Sequence, residues 1–196
     1  MAVMDRSQAA SIERDTIDVI NPVTQTVIDT IIVQTADDVA DAVERARFAQ
    51  TAWGKLTVNE RTFFIRRWLD LIWERQAEGI KLLRLENGKS DGGAFIEFMT
   101  VDSIGQYFIH HAASILKPEG RKSIFPVIQQ AKVFHKPHGV VGIISPWNYP
   151  FAIPFMDMIP ALIAGNTVVL KPSEITPLIA AWGVDLMHEA GIPRDV

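Results

Sequence analysis

The last third of the chain alternates short apolar runs with longer helical stretches, and this alternation constrains the fold more than any other feature. Residues 139–145 (GVVGIIS) and 167–170 (TVVL) are short and apolar, as buried parallel strands are. A helical stretch over residues 151–164 lies between them and ends at Gly165-Asn166. This order of strand, helix and strand predicts a parallel α/β unit.

A second helix is expected after the second apolar run. Thr176 and Pro177 form a good pair of N-cap and first helical residue, and Gly191 is a suitable end. In parallel sheets, ligands bind beyond the carboxyl ends of the strands. A site is therefore expected in the two loops that follow the apolar runs, at residues 145–150 and 171–174.

Upstream of this unit, the sequence predicts strands and then helices. Residues 17–35 are rich in β-formers, with a turn at Asn21-Pro22. Thr35 and Asp38 have the spacing of a capping box, which predicts a helix over residues 36–52.

A second capping box, formed by Thr57 and Glu60, opens another helical stretch. Helical character continues with breaks to Leu85, and Gly88 is the expected C-cap. Gly92-Gly93 is interpreted as a further break, followed by a third helix over residues 94–116.

The segment after this helix changes character, with prolines and a glycine at residues 118, 120 and 126. Residues 130–136 alternate polar and apolar side chains, which is typical of a half-exposed strand. We interpret this strand as one arm of a hairpin that begins near Ser123.

Composition excludes several classes of protein. A net charge of −4 argues against a nucleic-acid or anionic-membrane surface, and no apolar run is long enough to span a membrane. The first fifteen residues lack the apolar core of a secretory signal, so a cytoplasmic location is expected. With no Cys and five His without ligand spacing, disulfides, a Cys nucleophile and a metal site are not expected.

The first loop holds a neutral amide between aromatic side chains. Trp147, Asn148 and Tyr149 lie between two prolines, directly after an apolar run. The Asn148 amide could stabilise an oxyanion as it develops, which is worth ~3 kcal/mol in a dry site. On their own, the same residues favour a turn without chemistry, because Asn tolerates left-handed backbone and bonds to its own chain.

The second loop holds a cation and an anion. Lys171 and Glu174 follow the second apolar run, three residues apart. A carboxylate and an ammonium can together hydrogen-bond a polyhydroxyl ligand such as a ribose diol. The alternative is a solvated connection whose Glu favours the start of the next helix.

Both loops resemble hallmarks of the aldehyde dehydrogenase superfamily. The resemblance rests on PWNYP at residues 146–150, PALIAGN at residues 160–166 and VLKPSE at residues 169–174. It extends upstream to the turn NPVT at residues 21–24, to LENGK at residues 85–89 and to PHGVV at residues 137–141. The chain thus resembles the N-terminal portion of these enzymes from about Val19 onward, without the catalytic half.

The resemblance implies an α/β fold: an incomplete Rossmann-like parallel-sheet cofactor domain with N-terminal helices and a bridging β-hairpin. The implied segments are 1–118 for the N-terminal strands and helices, 119–137 for the bridging and oligomerisation hairpin, and 138–196 for the βαβα part.

It also implies the roles of individual residues. Asn148 would be the catalytic oxyanion donor that faces the aldehyde carbonyl. The remaining expected site residues contact the cofactor: Ile144, Ser145, Pro146 and Trp147 line it, and Lys171, Ser173 and Glu174 lie at its adenosine ribose. Because a carboxylate at the ribose repels a 2′-phosphate, NAD is favoured over NADP as the cofactor.

In the family mechanism, a Cys thiolate attacks the aldehyde, hydride passes to the nicotinamide, and a Glu-activated water hydrolyses the thioester. That Cys and that Glu belong to the C-terminal half of family members. Because the sequence has no Cys, the chain alone is expected to be an inactive fragment of an NAD(P)-dependent aldehyde dehydrogenase.

Several partners and two other functions remain open at this point. The complete enzyme would take an aldehyde substrate, and the fragment would form a homo-oligomer or pair with a complementing C-terminal half. One alternative function is a non-catalytic interaction module that assembles with a full-length relative. The other is an unrelated α/β binding domain whose motifs match by accident.

Overall fold

The computed structural model describes residues 14–125 and 128–196. Two parts of the chain lie outside this range. They are residues 1–13, most of the stretch that lacks the apolar core of a secretory signal, and residues 126 and 127 of the expected hairpin. The elements in chain order are β1 Thr16–Ile20, β2 Val27–Ile32, α1 Ala36–Trp53, α2 Val58–Glu74, α3 Gln76–Asn87, α4 Asp91–Ile115, β3 Glu119–Arg121, β4 Ala131–Val133, β5 Val140–Ile144, α5 Ala152–Ile163, β6 Thr167–Lys171 and α6 Leu178–Glu189.

The N-terminal strands form a hairpin closed at the expected turn. β1 and β2 pair antiparallel, with Thr16 opposite Ile32. The Asn21 side chain accepts hydrogen bonds from the backbone N–H groups of Val23 (2.9 Å) and Thr24 (3.1 Å). This side-chain contact closes the turn locally, so the prediction at Asn21-Pro22 is confirmed.

Both predicted capping boxes are present. Thr35 and Asp38 cap α1, and Thr57 and Glu60 cap α2, each with reciprocal side-chain and backbone hydrogen bonds. At the other end of this helical region, Gly88 caps α3 in the left-handed conformation, with a φ of 74°. These signals are reliable because each depends only on residues close together in the sequence.

The helical region contains four helices, so the prediction of three was wrong. The stretch after Thr57 divides at Arg75 into α2 and α3. The break expected at Gly92-Gly93 was also wrong, because α4 already begins at Asp91. Ser90 is its N-cap and accepts a hydrogen bond from the Gly93 N–H (3.1 Å), which draws both glycines into the first turn.

The expected hairpin is present; its first arm begins at Glu119, the start of the implied segment 119–137, and not near Ser123. β3 and β4 pair antiparallel, with Glu119 opposite Val133 and Arg121 opposite Ala131. Ser123 belongs to the connection and not to the first arm, and its hydroxyl donates to the Gln129 carbonyl (2.9 Å). The local alternation of side chains identified the second arm but could not define the pairing register.

β5 and β6 pair in parallel, as predicted, with Val140 opposite Thr167 and Ile144 opposite Lys171. The prediction that both strands are buried was only partly right, since Ile144 is 84% exposed. Val168 and Leu170 on β6 line an apolar groove of about 350 Å³ beside α6. The described residues therefore leave part of the sheet uncovered.

A buried arginine connects the helical region to the turn before β6. The Arg61 guanidinium donates to the carbonyl of Ile163 (2.7 Å) at the end of α5. Burial lowers the pKa of Arg61 below its usual value. A cation at this position donates to carbonyl groups that have no partner within the helix. It also interacts favourably with the negative end of the helix dipole. The turn that leads to β6 continues through Gly165, which has a φ of 94°.

The core packs α2, α4, α5 and α6 together through aromatic side chains. Phe98 on α4 stacks on Phe151, with 4.7 Å between ring centroids. Trp68 on α2 packs against Phe155 and donates from its indole N–H to the Gly183 carbonyl on α6 (2.9 Å). This core holds α5 and α6 in place, and each of these helices follows one of the two candidate loops.

No helix among residues 14–125 and 128–196 is long and apolar enough to cross a membrane. Over the same ranges, His, Asp and Glu side chains form no group that could hold a metal ion.

Candidate functional site

The two candidate loops start side by side at one edge of the sheet. β5 and β6 are parallel and in register, so Ile144 and Lys171 end the strands together. The Ser145 N–H donates to the Lys171 carbonyl (3.1 Å), which ties the first residues of the loops to each other. The structure thus brings the predicted site residues of both loops to one place, as parallel strands require.

The first loop presents Asn148 to solvent. Pro146, Trp147, Asn148 and Tyr149 are all exposed, whereas the flanking Ser145 is buried. Within the described ranges, the Asn148 side chain makes no hydrogen bond to another residue. The amide is therefore free to donate to a ligand. No hydrogen bond supports the alternative, in which the Asn148 side chain only closes a turn.

Two side chains at and just after the end of α3 contact the loop around Asn148. The Asn87 side-chain amide donates to the Trp147 carbonyl (2.8 Å). The Lys89 ammonium lies 3.9 Å from the centroid of the Tyr149 ring, in a cation–π contact. Both neighbours of Asn148 are thus fixed by side chains from one short segment.

A buried carboxylate holds the helix that follows this loop. Glu97 on α4 is fully buried, and its Oε2 accepts from the backbone N–H groups of Phe151 (2.9 Å) and Ala152 (2.8 Å) at the start of α5. Its Oε1 accepts from the Lys89 ammonium. The ion pair offsets the cost of the buried charge and connects it to the cation under Tyr149.

The second loop carries its predicted charges as an exposed ion pair. The Lys171 ammonium and the Glu174 carboxylate lie 2.7 Å apart, and each side chain is more than half exposed. The hydrogen bond from Lys171 lowers the pKa of Glu174, so this carboxylate is ionised at neutral pH. Ser173 is buried and accepts from the Ile175 N–H (3.2 Å), so in this structure it shapes the turn between the two charges.

The cap of α6 differs from the prediction. The helix begins at Leu178, and neither Thr176 nor Pro177 caps it with a side chain. Instead Glu86, at the end of α3, accepts from the N–H groups of Leu178 (2.8 Å) and Ile179 (2.8 Å). The Thr176 prediction was wrong because a residue distant in sequence supplies the acceptor that an N-cap normally provides.

Burial changes the acidity of the Glu86 carboxyl group. Desolvation, with a smaller contribution from Glu97, raises the pKa of Glu86 to about 7. The two backbone N–H donors act in the opposite direction without balancing the burial. Near neutral pH, this cap is therefore divided between its neutral and its ionised form.

The sequence contained only a weak signal for these supports. Glu86, Asn87 and Lys89 belong to LENGK, which stood out as part of a resemblance and not as a set of contacts. Glu97 is a single acidic residue between Ile96 and Phe98 in an apolar helix, a pattern that could have indicated a buried, partnered charge.

The edge formed by the loops combines apolar surface with a hydrogen-bond donor and acceptor, groups that suit the base and the ribose of a nucleotide. Ile144 and Trp147 offer exposed apolar surface, and Lys171 and Glu174 offer a donor and an acceptor for hydroxyl groups. The Ser145 hydroxyl is buried at the same strand end and has no hydrogen-bond partner among the described residues. An orphaned hydroxyl at this position fits a bound polar ligand.

The family to which the chain belongs is decided by its sequence match. The model of the aldehyde dehydrogenase family matches residues 9–196. The chain belongs to this family. Its fold matches the N-terminal part of the family's NAD-binding fold, as the resemblance implied.

Curated and solved relatives agree with this assignment. A Mycobacterium ulcerans protein named "putative succinate-semialdehyde dehydrogenase (NADP(+)) 2" is 43% identical over 165 residues, which are 84% of this chain and 32% of the relative. An NADP-dependent enzyme from E. coli superposes with a TM-score of 0.89 at 32% identity, covering 93% of this chain and 37% of that one. A betaine aldehyde dehydrogenase from Staphylococcus aureus in complex with NAD+ gives a TM-score of 0.87 at 33% identity, covering 92% and 37%.

The chain therefore spans about a third of the length of the relatives that it matches. The family includes proteins named for NADP and a structure that contains NAD+, so membership alone leaves the choice between the two cofactors open.

Proposed function

We propose that this chain is the cofactor-facing N-terminal part of an enzyme that oxidises an aldehyde to a carboxylic acid with a nicotinamide dinucleotide. The observation that carries the proposal is the position of Asn148. Its free amide stands on a braced loop, at the same sheet edge as the exposed pair Lys171 and Glu174. The bound dinucleotide would supply the hydride acceptor.

Asn148 would donate from its side-chain amide to the aldehyde oxygen as negative charge develops there. A neutral donor suits this task, because it needs no proton transfer and is already oriented by its loop. The contacts of Asn87 and Lys89 to its two neighbours reduce the freedom of the loop. Less reorganisation is then needed when the oxyanion forms.

Ile144, Ser145, Pro146 and Trp147 would line the cofactor, and Lys171 and Glu174 would hold its adenosine ribose. Ser173 would keep the turn between the charges in shape through its contact to the Ile175 N–H. Because Glu174 is ionised, it accepts well from a ribose 2′-hydroxyl and repels a 2′-phosphate. We therefore propose NAD over NADP, although the mycobacterial relative is named for NADP.

The thiolate that the family chemistry requires cannot come from these 196 residues, because they contain no Cys. We propose that the chain alone does not turn over an aldehyde, and that the nucleophile comes from a complementing C-terminal half. The β3–β4 hairpin, with Ile124 87% exposed and Ile128 79% exposed, offers a surface for association with such a half or with a second copy.

Calorimetric titration of the purified chain with NAD+ and, separately, with NADP+ tests the proposal. We expect NAD+ to bind more tightly, and Glu174→Ala to weaken NAD+ binding about tenfold, since one charge-assisted hydrogen bond is worth about 1.5 kcal/mol or more. Glu44→Ala is the matched control, because Glu44 is an exposed acid on α1, at a distance from both loops in the sequence.

A folded chain that binds neither nucleotide would contradict the cofactor-facing role and would favour the non-catalytic interaction module. Equal effects of Glu174→Ala and Glu44→Ala would contradict the ribose assignment. Aldehyde-dependent formation of NADH by the Cys-free chain would contradict the assignment of the nucleophile to another segment.

A further inference from the structure

The end of α3 and the start of α4 contact the first candidate loop and the helices that follow both loops, although neither helix carries a predicted site residue. Four side chains of this region make the contacts, and we refer to them together as the loop brace: Glu86, Asn87, Lys89 and Glu97. Glu86 holds the start of α6, which follows the second loop, and Glu97 holds the start of α5, which follows the first.

Two of these contacts capture helix starts with buried carboxylates. Glu86 is 1% exposed and Glu97 is 0% exposed, and each accepts two backbone N–H groups within 2.9 Å. The free N–H groups of a helix start, together with the dipole, favour a carboxylate at this position. Each carboxylate thus sets where a helix begins, and with it where the preceding loop ends.

The other two contacts act inside the first loop. Asn87 holds the Trp147 carbonyl, one residue before Asn148, and Lys89 lies under the Tyr149 ring, one residue after it. Lys89 also pairs with Glu97, so the contact under Tyr149 and the contact at the start of α5 are one network. These contacts leave the Asn148 side chain exposed while they hold the Trp147 backbone on one side of it and the Tyr149 ring on the other.

Stability alone does not account for this arrangement. Asn87 donates to the carbonyl of Trp147, a residue of an exposed loop and not of the buried core. Such a bond contributes mainly to the geometry of the loop, because Trp147 and Tyr149 are themselves about half exposed.

We propose that the four residues of the loop brace are positioning residues, which hold the Asn148 loop and the start of α6 in the geometry that binds the nucleotide. This inference rests on the proposed function. It assigns a role to a segment that carries no predicted site residue, and it predicts that loosening the brace weakens binding without unfolding the chain.

Asn87→Ala tests the brace, because the side chain is only partly buried and its loss removes one hydrogen bond. Asn59→Ala is the matched control on an exposed position of α2. We expect exchange of the Ile153 amide, which donates to the Tyr149 carbonyl of the loop (3.1 Å), to accelerate about fivefold in the ligand-free Asn87→Ala chain, the effect of losing one typical hydrogen bond. NAD+ affinity should fall by a similar factor, while the thermal midpoint should fall by no more than about 2–4 °C.

A pair of variants tests the buried part of the brace. In Glu97→Gln, one acceptor oxygen remains, but Lys89 loses its counter-charge, so exchange at the Phe151 and Ala152 amides should accelerate. Adding Lys89→Met should restore slow exchange in part, because the unpaired charge is removed. If the role of these residues were purely structural, each variant that weakens NAD+ binding would also lower the thermal midpoint by a proportionate amount.

The exchange measurement needs no nucleotide, so it separates this inference from the proposed function. If the wild-type chain binds no nucleotide, the proposed function fails, while faster exchange at Ile153 in Asn87→Ala still supports the brace. Unchanged exchange and unchanged affinity in Asn87→Ala would overturn the inference, as would equal effects of Asn87→Ala and Asn59→Ala.

Discussion

At the scale of single residues, buried carboxylates have the largest influence on the candidate site. Glu86 and Glu97 are both almost inaccessible to solvent, yet their environments differ. Glu97 has an ammonium partner in Lys89, whereas the hydrogen-bond partners of Glu86 within residues 14–125 and 128–196 are backbone N–H groups. Desolvation therefore dominates at Glu86 and raises its pKa to about 7.

A pH-dependent stability follows from Glu86. Its pKa in the folded chain lies above the ordinary value of 4.5, so the folded state binds the proton more tightly than the unfolded state. The contribution of Glu86 to stability is greatest below pH 4.5 and is lost as the pH rises toward 7. The free energy of unfolding should fall by on the order of 3 kcal/mol over this window because of this group.

Urea unfolding at a series of pH values, with wild type and Glu86→Gln, measures this effect. The difference between the two proteins should shrink or change sign as the pH rises from 4.5 to 7, because glutamine does not titrate. A constant difference across the window would show that Glu86 titrates near its ordinary pKa.

At the scale of elements, close helix packing depends on small residues. Gly183 on α6 lies against the rings of Phe155 and Phe151, where a Cβ would overlap Phe155. Gly92, in the first turn of α4, faces open space. Glycine therefore has a different role at the two positions. Gly183 permits the close approach of two helices, whereas Gly92 only adds backbone freedom.

We expect Gly183→Ala to destabilise the chain by about 1–3 kcal/mol, because the ring of a close-packed aromatic residue must move. Gly92→Ala should stabilise it by up to about 1 kcal/mol, since alanine favours the helix and meets no neighbour. Thermal or urea unfolding of the two variants provides the measurement. Stabilisation by Gly183→Ala would contradict the packing described for α6.

At the scale of the whole molecule, residues 14–125 and 128–196 leave part of the parallel sheet without a covering layer. Ile144 on β5 is 84% exposed, and the groove between β6 and α6 is lined mainly by apolar side chains such as Val168 and Leu170. Exposed apolar surface of this kind promotes association with other surfaces. A sheet with open edges adds a second route to association.

The purified chain is therefore expected to be marginally stable and to associate as its concentration rises. Ala181→Glu introduces a charge at the exposed rim of the groove and should reduce association. Ala77→Glu, on an exposed position of α3, is the control and should not. Light scattering over a concentration series measures the effect, and a sharp, reversible melt of a monomer at all concentrations would contradict this expectation.

The sequence by itself determined the local structure and the family. Several local features each involve residues only a few positions apart, so they can be predicted without knowledge of the fold. They are the capping boxes at Thr35 and Thr57, the turn at Asn21 and the C-cap at Gly88. The apolar runs around residues 140–144 and 167–171 predicted the parallel pair, and with it the edge where Asn148, Lys171 and Glu174 meet.

Only the tertiary structure decided which residues support that edge. Glu86 caps a helix that begins 92 residues later, and Glu97 contacts Phe151, 54 residues away. Contacts over such distances leave no periodicity in the sequence, so the cap of α6 was assigned wrongly to Thr176. The burial predicted for Ile144 was wrong for a similar reason. The apolar character of a strand is a local property, whereas its burial depends on which other elements cover it.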